Sequence, residues 1–133
     1  MEINLKNAYN LISLIALSLF SLNVSASLIT FSCDFPNYVT DEDRGTQNFK
    51  IVFEVDTISG QSYMKGNNGL SEVVNIPGQE GISFIETLGT GAVQTTTIVL
   101  FPDSQLGNAV HSRHSLISGL VPSQNYGVCI PSE

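Results

Sequence analysis

With 133 residues and no tryptophan, the chain is long enough to bury one core of its own and too short for two domains. Twelve Asp/Glu against five Lys/Arg give a net charge of −7, and a surface of that sign repels phosphate backbones, so nucleic acid is excluded as a partner class. The acids are scattered, apart from the run Asp41, Glu42 and Asp43, which marks a solvated surface rather than an acidic tail.

The first ten residues are polar with a single lysine, Lys6. They are followed by an apolar run, LISLIALSLFSL at residues 11–22, and by Val24 and Ala26 at compact positions before a cleavage point. This is the pattern of a secretory signal helix spanning residues 1–26. The apolar run is short of the ~20 residues needed to cross a bilayer, so no membrane span is expected in the mature chain. What remains is one β domain, residues 27–133, carrying eleven Asp/Glu and four Lys/Arg. The expected location is secreted or periplasmic. In such a compartment Cys33 and Cys129 are expected to pair with each other, which ties the start of the domain to its end.

Residues 28–35 alternate, with Ile29, Phe31, Cys33 and Phe35 on one face, and Pro36 and Asn37 are expected to end that strand. The charged stretch 41–45 reads as a loop. In the next strand Phe49, Ile51, Phe53 and Val55 point one way, while Lys50 and Glu54 share the solvent face. Residues 61–65 form a short strand with Tyr63 and Met64 on opposite faces. Gly66, Asn67, Asn68 and Gly69 then supply the positive φ that a tight hairpin requires. Strands follow at 70–76 and 82–87. A further strand at 92–101 is rich in β-branched residues and nearly apolar on both faces, which predicts cover on both sides or a lined cavity. Residues 109–118 read as a strand, with a helix over 109–121 as the alternative, and 125–130 as the last strand. In 125–130 Tyr126, Val128 and Ile130 form the apolar face, which leaves Cys129 on the opposite side unless a bulge intervenes or the strand has already ended. About eight short strands separated by turn signals predict an all-β fold, a small antiparallel up-and-down barrel or a sandwich. Pairing of Cys33 with Cys129 favours the barrel, in which first and last strands are neighbours.

Chemistry concentrates in residues 108–130. His111 and His114 lie three apart, so a strand points them to opposite faces and they cannot share a metal ion; no metal site and no cofactor are expected. His111, Arg113 and Ser115 do share a face. Together they could grip a carboxylate, sulfate or phosphate, or they could pair with Glu54, Glu72 or Glu86 on neighbouring strands. The residue types of a Ser-His-Asp hydrolase are present without a Gly-x-Ser-x-Gly elbow. Glu72, Glu80, Glu86 and Asp103 provide carboxylates without a pairing context for glycoside hydrolysis. Asp41, Asp43 and the turn at residues 66–68 offer oxygen ligands without the spacing of a calcium loop.

In strand count and exported character the chain resembles the calycin barrels, the lipocalins and avidins. It has neither the Gly-x-Trp of the one nor the pocket tryptophans of the other, so the resemblance is one of shape and carries over no binding residue. The ending from Val110 to Cys129, VHSRH…VPSQ.YG.C, resembles that of short exported bacterial proteins and implies no activity. The reading is therefore an exported, non-catalytic β-barrel that binds a small molecule or a protein partner in the bacterial envelope. His111, Arg113, Ser115 and His114 are its candidate ligand-binding residues. The alternatives are a small secreted hydrolase using His111 or His114, and an inhibitor or structural envelope protein.

Overall fold

The computed structural model describes residues 27–102, 104–116 and 120–133. The expected signal segment, Asp103 and the end of the strand predicted over 109–118 thus lie wholly or partly outside the described residues. Nine strands are present: β1 (Leu28–Thr40), β2 (Arg44–Thr46), β3 (Lys50–Asp56), β4 (Ser62–Gly66), β5 (Gly69–Pro77), β6 (Gly81–Thr87), β7 (Val93–Leu100), β8 (Gly107–Ser115) and β9 (Val121–Ser132). All pairings are antiparallel. Eight of the strands run β1-β3-β4-β5-β6-β7-β8-β9, and β9 returns to β1, so the sheet closes as an up-and-down barrel; β2 is a short addition to the far end of β1. The fold is the barrel rather than the sandwich. The helical alternative for 109–121 does not form, because β8 is held by ladders to β7 and β9 along its length. Among the described residues no helix is long and apolar enough to cross a membrane.

An eight-stranded barrel is just wide enough for side chains to fill it. Phe31, Phe35, Ile51, Phe53, Met64, Val73, Phe84 and Ile98 do so here. Phe53 stacks on Phe84 with ring centroids 4.1 Å apart, and Phe31 meets the same ring edge-on at 5.9 Å. Each large apolar side chain buried in this way contributes about 1.5–3 kcal/mol relative to exposure. The alternation read in residues 49–55 is realised, with Ile51, Phe53 and Val55 inside. The Asn67-Asn68 turn links β4 to β5, and Gly69 takes the positive φ of +104° that a side chain would resist.

Three expectations are corrected. Pro36 does not end β1. The ladder between β1 and β9 instead skips from Asp34 opposite Val128 to Asn37 opposite Tyr126, so Phe35 and Pro36 together oppose Gly127. This is a bulge, where a proline without an N–H is tolerated. The neighbouring backbone groups are satisfied from the β2–β3 side: the Phe35 N–H donates to the Phe49 carbonyl (2.8 Å) and the Gln47 N–H to the Pro36 carbonyl (2.8 Å). Second, β9 has the opposite facing to that inferred from its apolar residues. Asn125, Gly127 and Cys129 point inward, while Tyr126 (41% exposed), Val128 and Ile130 (51%) point outward. No parity change within β9 is needed to bring Cys129 inside. Third, of the two readings of residues 92–101, cover on both faces does not hold: Thr96 and Ile98 are buried and Gln94 lines a cavity, whereas Val93, Thr97 and Val99 are exposed on the outer wall.

Cys33 and Cys129 face one another in register across the β1–β9 seam, with Cα atoms 4.0 Å apart, and form a buried disulfide. Its closed loop spans 96 residues. Chain-entropy reasoning gives a bond closing so long a loop up to about 4–5 kcal/mol of stabilisation. Thiol titration of denatured, non-reduced protein is expected to find no reactive cysteine, and reduction is expected to lower the unfolding free energy by up to that amount. Gly127 is also required, because a Cβ there would collide with the Asp34 carbonyl across the bulge. Gly127→Ala is expected to destabilise by about 2–3 kcal/mol in denaturant unfolding, with the disulfide still formed.

Candidate functional site in the barrel mouth

The two ends of the barrel differ. At the end where β1 finishes and the β4–β5 and β6–β7 turns converge, the filling stops short and a cavity of about 640 Å³ opens. Strand pairing explains its composition. Glu86 pairs with Gln94, Gln94 with Arg113, Arg113 with Ser123, and Ser123 with Thr40, so one residue from each of five strands forms a polar row that lines the cavity. The row beneath is Phe84, Thr96, His111, Asn125 and Tyr38, paired in the same way. Below that lies the apolar core. Polarity therefore rises stepwise toward the opening.

His111 sits in the second row and is 1% exposed. Its Nδ1 is 2.8 Å from the Thr96 hydroxyl, its ring packs edge-on to Phe49 with centroids 5.3 Å apart, and Phe35 lies 5.9 Å away. Among the described residues its Nε2 has no hydrogen-bond partner. The Asn125 amide donates to the His111 carbonyl (3.2 Å) and accepts from Gln47 Nε2 (2.5 Å), which ties β8, β9 and the segment before β3 together under the mouth. Burial, with a smaller contribution from the nearby Arg113 charge, pushes the His111 pKa down to about 4. The ring is therefore neutral at pH 7.

The four candidate residues separate. Arg113 lines the cavity, and among the described residues it makes no ion pair. Glu54 and Glu72 face outward on β3 and β5, and Glu86, on the same row as Arg113, does not bond to it. His111 faces the same way but is sealed beneath the mouth, where it supports the wall rather than meeting solvent. Ser115 shares their face and is not among the cavity-lining residues. His114 lies on the outer wall, paired with Pro122. The hydrolase alternative needs a histidine in contact with both a hydroxyl nucleophile and an acid; His111 bonds a threonine out of reach of substrate, and His114 is exposed on the outer wall. Asp43 closes a turn, accepting from Tyr38 Oη (3.1 Å) and from the Arg44 N–H (2.7 Å); its hydrogen bond with Tyr38, and then its charge, hold the Tyr38 pKa above its ordinary value.

Gln94, Asn125 and Gln47 were not singled out by the sequence, and Glu86 entered only as an ion-pair partner and as one of four carboxylates without a pairing context. One signal does find two of them: Ile82, Phe84, Glu86 and Ile98, Thr96, Gln94 are i, i+2 series running from core to opening. No family model, no curated protein and no solved structure matches this chain. The likeness to calycin barrels accordingly remains one of eight-stranded closed shape, and no relative is identified for residues 110–129.

A neutral, buried His111 has a stability consequence. Between its unfolded value of 6.5 and its folded value of about 4 the unfolded chain binds the proton and the folded one does not, so stability is lost as pH falls through that window. The loss is expected to reach up to about 3 kcal/mol. Chemical denaturation at pH 7 and pH 4 is expected to show a smaller loss in His111→Phe, which keeps the ring packing and removes the titrating group.

Proposed function

We propose that this chain is an exported, non-catalytic binding domain that holds a small polar molecule with an anionic group in the mouth of its barrel. The observation that carries this reading is Arg113, a guanidinium facing the cavity with no ion-pair partner among the described residues, in a protein of net charge −7. Left without a carboxylate of its own, a guanidinium is free to take one from a ligand through paired, charge-assisted hydrogen bonds. Gln94 and Ser123 on either side add donors and acceptors that would fix orientation. The cavity volume lies within the range of about 300–1,000 Å³ typical of small-molecule sites. Export is supported by the apolar segment at residues 11–22 and by the buried Cys33–Cys129 disulfide, a bond that persists in oxidising compartments. Catalysis has no support from either histidine.

Amide chemical-shift titration with a set of small carboxylates, sulfates and phosphates tests the reading. At least one is expected to shift Gln94, Arg113 and Ser123 together, and Arg113→Gln is expected to weaken that binding about tenfold or more with unchanged melting temperature. Binding that is indifferent to Arg113→Gln, or no response at the mouth to any of the set, would contradict it.

A further inference from the structure

The barrel wall is incompletely laced next to the mouth. β5 gives its first half, Gly69 to Val73, to β4 and only its second half, Val74 to Pro77, to β6. On the other side β6 continues past Ile85 through Glu86 and Thr87, and these pair with β7 but not with β5. Two backbone edges therefore face each other across a seam without a ladder between them. Gly69, Ser71, Glu86 and Leu88 flank that seam and line the cavity. Glu86 is only 8% exposed, yet among the described residues its carboxylate has neither a hydrogen-bond nor an ion-pair partner. Among the described residues only His111 Nε2 is a buried side-chain polar atom without a partner, so the Glu86 oxygens open onto the cavity, where a cation or donor entering the mouth can meet them.

We propose that the β5–β6 seam is a docking slot for an extended peptide segment of a protein partner, with a Lys or Arg side chain directed inward to Glu86. Strand addition to an open sheet edge draws its affinity from main-chain hydrogen bonds and its specificity from alternate side chains. A segment laid along residues 69–73 places every second side chain toward the cavity, beside Glu86, and the others beside outward-facing Leu70 (67% exposed) and Val74. The charge pattern selects a basic segment. Glu72 on the outer face and Glu86 on the inner face are both acidic, and the whole chain carries −7, which also disfavours a second copy of itself as the occupant. Glu86 lies two strands from Arg113 on the same row of the mouth, with Gln94 between them, and the slot does not depend on what Arg113 binds.

Hydrogen exchange followed by NMR, with blocked pentapeptides as probes, tests this. In the free protein the amides of residues 69–73 that do not bond to β4 are expected to exchange fast. A Thr-Val-Lys-Val-Thr peptide is expected to protect them, and replacing its lysine by norleucine, or Glu86 by Gln (Glu86→Gln), is expected to weaken binding about tenfold or more. N-methylation of its alternate backbone amides is expected to abolish binding. The proposal is overturned if those amides are already protected in the free monomer, if the lysine peptide does not bind, or if binding survives N-methylation or is insensitive to the lysine and Glu86 changes. It is equally overturned if protection appears without peptide and grows with protein concentration, with a dimer in sedimentation, because the slot would then be a self-association edge.

Discussion

Everything in this barrel depends on how β9 meets β1. Two residues, Phe35 and Pro36, stand opposite Gly127, and that one mismatch reverses the facing of β1 along its length. Before it, Phe31, Cys33 and Phe35 point inward; after it, Tyr38 and Thr40 do. The first half of β1 can thus carry the disulfide and two core aromatics, while its second half contributes polar groups to the mouth. The bulge is possible because Gly127 has no side chain to meet the Asp34 carbonyl and because Pro36 has no N–H to leave unpaired. The disulfide lies two residues from the bulge on β9 and locks the register on its apolar side.

The rows of the mouth follow from the same closure. With β9 held in this register, Asn125 falls beside His111 and Ser123 beside Arg113, so polar side chains from β6 through β1 line up across the barrel. His111 is tolerated inside because Thr96 meets one ring nitrogen and two phenylalanines take the ring faces and edges. The desolvation that keeps it neutral also makes it a wall element rather than an acid–base group. Arg113, one strand step of two residues nearer the opening, meets solvent and keeps its charge available.

Much of the architecture was legible in the chain. The alternation of Phe49, Ile51, Phe53 and Val55, the Asn67-Asn68 hairpin and the cysteines at either end of the domain were enough to imply about eight antiparallel strands and to favour a closed barrel over a sandwich. The facing of β9 was not, for a physical reason. The outward positions of β6 to β9 carry no Lys, Arg, Asp or Glu, so the apolar set Tyr126, Val128 and Ile130 looks like a core face although it forms the outer wall. Alternation identifies two faces without saying which is inside when both lack charge. Pro36 misled for a related reason, since a proline marks a strand end unless a bulge absorbs it. Of the site, Arg113 was visible as the lone cation of the C-terminal half, but its separation from Ser115 and the sealing of His111 depend on depth within the barrel, which sequence spacing does not encode.

The facing of β9 is the point on which the core, the disulfide and the polar mouth all rest, and carbene footprinting with residue-level mass spectrometry reads it directly. The account requires strong labelling of Tyr126, Val128 and Ile130 with Asn125, Gly127 and Cys129 spared in the native protein. Labelling of the second set with protection of the first would place the apolar face inside and contradict the closure described here.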